Sequence, residues 1–203
     1  MKYIENGYIF PIPVGKFSKI PITKNDRKTL LDIEDYHNSV GNMGSKDSYV
    51  LNKTKSLKTI LEKCIKEFVE KTYAPKNDIQ FPISQSWLNV TGKDMHHHIH
   101  KHPNSFFSGV FYLKTIAEDR IEFQSEDIFS AMFNIENYNE FNCKMQWVNI
   151  KKHDLLLFRS SLSHNVPTNK TTDDRISLSF NTWVSGRLGR EVNKTEVVSA
   201  GIV

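Results

Sequence analysis

Cysteine is nearly absent: Cys64 and Cys143 are the only two in 203 residues. A widely separated pair gives no disulfide framework, and Cys64 falls on an apolar helical stripe, so reduced, buried thiols in a cytosolic setting are expected. Long apolar runs are missing as well. No segment approaches the roughly 18 consecutive apolar residues that a membrane-crossing helix requires. The opening MKYIENGYIFPIPVGKF breaks its apolar residues with Lys2, Glu5 and Lys16, unlike the uninterrupted stretch of an export signal. A cytoplasmic protein without a membrane partner is therefore expected. Charge of one sign is not concentrated either. The net charge is +4 and the pI near 8.9, with basic residues scattered along the chain, so nucleic-acid binding is neither excluded nor indicated. Internal repeats and low-complexity segments are absent, and nothing in the sequence decides for or against a homo-oligomer.

What is present is an ordinary globular composition, 38% hydrophobic and 25% charged, enough to build a core without cross-links. A single domain over residues 1–203 is expected, since β-rich units of about 200 residues occur as one body. Residues 1–78 read as mainly helical support. Within them, Tyr8 to Val14 is a short extended segment, Arg27 to Tyr36 a modest helix, and 38–55 a loop. The clearest helix carries Leu57, Ile60, Leu61, Cys64, Ile65, Phe68 and Val69 at spacings of three and four, with Ser56 placed to cap it and Pro75 beyond its end. Residues 79–185 read as a β-core with strands near Ser84–Val90, Ser108–Leu113, Arg120–Phe123, Trp147–Ile150, Leu155–Phe158, Ser163–Val166 and Arg175–Trp183. Phe129, Met132 and Phe133 are expected to pack an intervening loop or short helix onto the body, and 186–203 is a tail that docks or frays. The pattern is α+β, a sandwich or barrel backed by N-terminal helices.

Five of the eight histidines, His96, His97, His98, His100 and His102, crowd into seven residues. In an extended segment alternate residues share a face, so His98, His100 and His102 point one way while His97, Ile99 and Lys101 point the other. An H-x-H pair at a strand end is a two-point grip for a metal, and His164, far along the chain, supplies a third imidazole. Arg175-Ile176-Ser177-Leu178-Ser179-Phe180-Asn181 alternates strictly. Either this is a half-exposed strand, or both faces are covered and the polar face lines a cavity where Arg175 forks onto a carboxylate with help from Ser177.

These residues resemble the 2-oxoglutarate and Fe(II)-dependent oxygenases, in particular the oxygenases of phages and marine bacteria. The resemblance is carried by Ile9-Phe10-Pro11-Ile12-Pro13, Ser86-Trp87-Leu88-Asn89, His100-Lys101-His102-Pro103-Asn104-Ser105, Ser108-Gly109-Val110-Phe111-Tyr112-Leu113, Leu157-Phe158-Arg159-Ser160 through His164, and Arg175 through Asn181. It implies a double-stranded β-helix, or jelly roll, that holds Fe(II) with 2-oxoglutarate as cosubstrate. It also implies oxidative decarboxylation to succinate and CO2, coupled with dioxygen to hydroxylation or a related C–H oxidation. His164 corresponds to the distal metal ligand, Arg175 and Ser177 to the pair that binds the far carboxylate of 2-oxoglutarate, and Asn89 and Tyr112 to further cosubstrate-binding positions.

One departure stands out. The usual triad is two histidines and a carboxylate, yet no histidine of the run has an acid two residues on. If His100, His102 and His164 are the ligands, the triad is neutral; Asp94 is the nearest alternative acid. Neutral imidazoles are required for binding, so activity is expected to fall below about pH 6.5, the unperturbed value. Two other readings fit the same residues: a cupin-like metal-binding barrel without 2-oxoglutarate chemistry, and a non-catalytic binding protein that retains the fold. The prime substrate is not legible, because its contacts would come from 38–55 and 124–146. Phe129, Phe133, Tyr138 and Phe141 are expected to pack the core before lining a groove there.

Overall fold

Alternation along each strand decides which side of the sheet it faces, and the computed structural model, which describes residues 10–125 and 134–201, follows that rule closely. The first part of the chain runs β1 (Val14–Phe17), α1 (Lys24–Leu31), β2 (Tyr36–Asn38), β3 (Met43–Ser45), a 3-10 turn (Val50–Lys53) and α2 (Lys55–Tyr73). Then come β4 (Ile79–Gln80), β5 (Ile83–Thr91), β6 (His97–His100), β7 (Phe107–Lys114), β8 (Arg120–Gln124), β9 (Met145–Asn149), β10 (Leu155–Arg159), β11 (His164–Val166) and β12 (Arg175–Thr182). The chain finishes with β13 (Ser185–Leu188), a 3-10 turn (Glu191–Asn193) and β14 (Val197–Ser199).

A seven-stranded sheet has the order β1-β10-β7-β12-β5-β3-β2, and a four-stranded sheet the order β6-β11-β8-β9. From β5 onward the chain passes back and forth between them: β5 large, β6 small, β7 large, β8 and β9 small, β10 large, β11 small, β12 large. All ladders among the described residues are antiparallel. This is the expected double-stranded β-helix in an α+β setting.

The two faces of the large sheet bury different partners. Phe107, Phe111, Leu113, Leu155, Leu157, Leu178 and Phe180 face α1 and α2, meeting Leu30, Leu57, Leu61, Ile65 and Phe68. Val110, Tyr112, Leu156 and Phe158 face the small sheet, meeting Ile121, Phe123 and Ile150. Each such apolar side chain, taken out of water, contributes about 1.5–3 kcal/mol. Packing is close enough that a Cβ built on Gly109 would lie 2.1 Å from Cζ of Phe180 on the neighbouring strand. Strand β12 is thus covered on both sides, and its polar residues line an interior instead of meeting water.

Several elements differ from the sequence expectation. The first helix starts earlier, because Thr23 Oγ1 accepts the Asp26 N–H at 2.9 Å, and it stops at Leu31; Tyr36 opens a strand instead. The described residues 10–78 supply three strands as well as two helices, and the 38–55 loop contains β3 and a 3-10 turn. Ser56 does not cap α2; the cap position is Thr54. The Asp26 carboxylate of α1 instead accepts from Ser56 Oγ and, at 3.2 Å, from Leu57 N–H, a cap delivered from another helix. The C-terminal tail is a β13–β14 hairpin paired to β4. Tyr138 and Phe141 are exposed, not core. Tyr8, Phe129, Met132 and Phe133 lie outside the described residues. Among the described residues no helix is long and apolar enough to cross a membrane.

Candidate metal centre

Strands β6 and β11 are direct neighbours, and His100 sits opposite His164 in their ladder. His102 follows β6, where its backbone N–H donates to Ser160 O at 3.0 Å. One ring nitrogen from each of His100, His102 and His164 lies within 4.8 Å of the other two, the only such grouping of potential metal-binding side chains among the described residues. The His100 and His102 Nε2 atoms are 3.1 Å apart.

The other ring nitrogen of each imidazole explains this geometry. Nδ1 of His100 lies 2.8 Å from His98 O, Nδ1 of His164 2.9 Å from Leu162 O, and Nδ1 of His102 2.6 Å from Asn181 Oδ1. A carbonyl oxygen only accepts, so each Nδ1 carries the proton and each Nε2 presents a lone pair. Lone pairs 3.1 Å apart repel each other unless a cation lies between them, and outer partners of this kind are what fix metal-ligating histidines. Ser108 Oγ donates to the same Asn181 oxygen at 3.0 Å and continues through Ser160 Oγ at 2.8 Å to Ser105, which ties the amide in place. Phe158 packs edge-on against the His164 ring at 4.7 Å.

Burial holds these groups neutral. Desolvation, then neighbouring imidazoles, pushes His164 down to about 3, and desolvation pushes His102 down to about 4. His100 is lowered by the same cause. For His102 and His164, proton competition thus begins far below the 6.5 expected from the sequence.

A bulge corrects the expected sides of the histidine run. His164 and Val166, two apart on β11, oppose His100 and His97, three apart on β6. The extra residue turns His97 onto the triad's side, where its ring stacks on His100 at 4.3 Å and burial pushes its pKa down to about 3. His98 remains near the surface, its Nδ1 3.3 Å from Val40 O. Asp94 is not part of the cluster: it is exposed, with Lys170 Nζ 3.4 Å away.

Arg175 is 1% exposed. Its Nε donates to both oxygens of Asp119, at 2.9 and 3.2 Å, and its Nη1 donates to Ser177 Oγ at 3.3 Å. The guanidinium lies 5.0 Å from the centre of the Tyr112 ring. Burial raises the Asp119 and Tyr112 pKa values, against the pull of the guanidinium. Arg175 Nη2 and the Tyr112 hydroxyl are buried with no hydrogen-bond partner among the described residues. Such orphans call for a ligand, and these two are donors, as a carboxylate requires. Asn89 is already engaged, donating to Ser179 Oγ at 2.9 Å and accepting from Asn42 at 3.3 Å, but it also lines a cavity of about 690 Å3 beside the triad. His97, Trp87, Trp183, Tyr49 and Lys101 are among the other walls.

The donor set therefore fits a divalent metal, and the orphaned donors fit a dicarboxylate. Sequence reasoning missed Asp119, Asn181, Ser108 and the orientation of His97. Only Asn181 left a trace, as the last polar residue of the alternating β12 run.

Comparison with known proteins agrees with this chemistry. Residues 85–181, which contain every residue of the triad and of the Arg175 pocket, match the sequence model of a family described as "Putative 2OG-Fe(II) oxygenase". No curated protein matches by sequence. Among solved structures, HygX from Streptomyces hygroscopicus, with nickel, 2-oxoglutarate and hygromycin B bound, superposes with a TM-score of 0.56 at 10% identity, covering 84% of this chain and 82% of that one. A prolyl hydroxylase from Trichoplax adhaerens, in complex with a hypoxia inducible factor peptide fragment, gives 0.53 at 10% identity over 84% and 83%. A viral collagen prolyl hydroxylase from Paramecium Bursaria Chlorella virus-1, in complex with 2-oxoglutarate, gives 0.52 at 10% identity over 84% and 94%. These likenesses establish the shared fold. Together with the family match they show that residues 85–181, just under half of the chain and holding the whole candidate site, are similar to the 2-oxoglutarate- and Fe(II)-dependent oxygenases.

Proposed function

We propose that His100, His102 and His164 hold Fe(II) as a neutral three-histidine triad, and that Arg175, Ser177 and Tyr112 bind the far carboxylate of 2-oxoglutarate, with Asn89 on the wall beside it. The observation that carries this reading is the convergence of three Nε2 lone pairs, each fixed by a hydrogen bond at Nδ1. When bound together, iron, 2-oxoglutarate and dioxygen supply oxidative decarboxylation to succinate and CO2 and the oxidation of a substrate C–H bond. The chain's own contribution is positional. Asn181, His98 O and Leu162 O hold the ligand tautomers. Arg175 Nη2 and the Tyr112 hydroxyl donate to the carboxylate, and Phe158 and Trp87 shield the ligands from water.

The prime substrate occupies the cavity walled by Trp87, Trp183 and Tyr49. No carboxylate is among its described lining residues, while Lys101 is. An uncharged or anionic polar substrate fits that lining, and an ammonium- or guanidinium-bearing one does not. Hydroxylation is the outcome assigned to it.

Anaerobic addition of Fe(II) and 2-oxoglutarate tests the assignment. A visible charge-transfer band is expected only with both present, lost in His164→Ala and weakened in Arg175→Ala at unchanged metal uptake. Metal uptake without any band would favour the cupin-like reading.

A further inference from the structure

The charges around the site form a closed account. Among the described residues no carboxylate belongs to the metal-binding cluster, so a divalent ion held by three neutral imidazoles keeps its full double charge. The one buried cation beside it, Arg175, is matched by Asp119, with both side chains 2% exposed. The other acids nearby are also paired: Glu122 with Arg120 at 2.7 Å and Asp154 with Lys16 at 3.1 Å. Among the described residues the metal-free interior is therefore neutral, the metal-loaded one carries two positive charges, and 2-oxoglutarate brings two negative ones.

In the usual triad the balancing carboxylate sits on the metal. Here it sits on the arginine, engaging the Nε edge and leaving Nη2 for the cosubstrate. Moving that charge has a consequence. An uncompensated buried guanidinium would draw a dicarboxylate into the metal-free protein, whereas a guanidinium already paired offers hydrogen bonds but no net charge to offset desolvation. Resting on the ligand assignment above, we propose that Asp119 is a positioning residue that makes 2-oxoglutarate binding conditional on the metal: it neutralises Arg175 so that only the metal-loaded site attracts the dianion.

Calorimetric titration of 2-oxoglutarate into metal-free and Ni(II)-loaded protein tests this, nickel being a non-reacting stand-in. For the wild type, the nickel-loaded form is expected to bind more than 100-fold more tightly, and by reciprocity 2-oxoglutarate tightens nickel by the same factor. Asp119→Asn keeps an acceptor for Nε but removes the charge. Its metal-free form is expected to gain about tenfold or more in 2-oxoglutarate affinity, with a smaller change when nickel is bound, while Asp119→Glu stays like the wild type. A purely structural Asp119 would weaken both forms together or leave the metal-free affinity unchanged, and either result overturns the proposal. So does a metal-free wild type that binds within about tenfold of the nickel-loaded one, a measurement that needs no variant. A nickel-loaded wild type that ignores 2-oxoglutarate overturns the ligand assignment itself, and this inference with it.

Discussion

Acid should unfold the metal-free protein earlier than its carboxylates alone would dictate, because buried neutral imidazoles must be given up. His102 and His164 are 8% and 3% exposed, with pKa values held at about 4 and about 3. In the unfolded chain a histidine titrates near 6.5. Between these values the unfolded state binds more protons than the folded one, so stability is complete above about pH 6.5 and falls as the pH drops towards the folded-state values. From pH 7 to pH 5 each residue costs about 2 kcal/mol by this linkage, about 4 kcal/mol for the pair. That is a large share of the roughly 5–15 kcal/mol typical of a folded domain. Urea titrations at pH 7, 6 and 5 would read the slope directly, with His164→Asn as reference, since it removes one titrating imidazole and should lose about 2 kcal/mol less over the same interval. A wild type as stable at pH 5 as at pH 7, or a variant with the same pH slope, would refute the reasoning.

Three further outcomes follow from contacts described above. Gly109→Ala places a Cβ 2.1 Å from Phe180 Cζ, so β12 must shift; we expect about 1–3 kcal/mol or more lost in urea unfolding, together with weaker nickel binding because Asn181 adjoins Phe180. Asn181→Leu removes the acceptor that holds the His102 tautomer at 2.6 Å; nickel affinity by calorimetry should fall roughly 10–100-fold with little change in fold. Asp26→Ala strips α2 of its borrowed cap, and thermal unfolding followed by circular dichroism should show a loss of about 1–2 kcal/mol.

Strands β7, β10 and β12 were legible because both of their faces are buried, and the alternation of β12 and the apolar run Leu155 to Phe158 record that directly; β6, half-exposed and on the sheet edge, was not among the expected strands. The α2 stripe was legible for the same reason. Strands β2 and β3 were not, since three-residue strands exist only through the partners they pair with. The cap on α2 escaped because its carboxylate lies on another helix. At the site, His100, His102, His164, Arg175 and Ser177 could be named as candidates from spacing and resemblance. The bulge that turns His97 inward is a register fact with no local signature, and Asp119 sits in a turn whose sequence says nothing of the guanidinium it meets. The acid sensitivity was misjudged for a related reason: spacing shows which imidazoles converge, but not how completely water leaves them.

Strand β6 is the outermost of the four-stranded sheet, joined only to β11 and irregular even there. Two of the three imidazoles reside on or just past this weakly tethered ribbon, the third on its single neighbour. Under the proposed ligand assignment a bound ion would act as a rivet along the sheet margin, and scarcity of iron would loosen the border of the fold at the same moment that it silenced the chemistry.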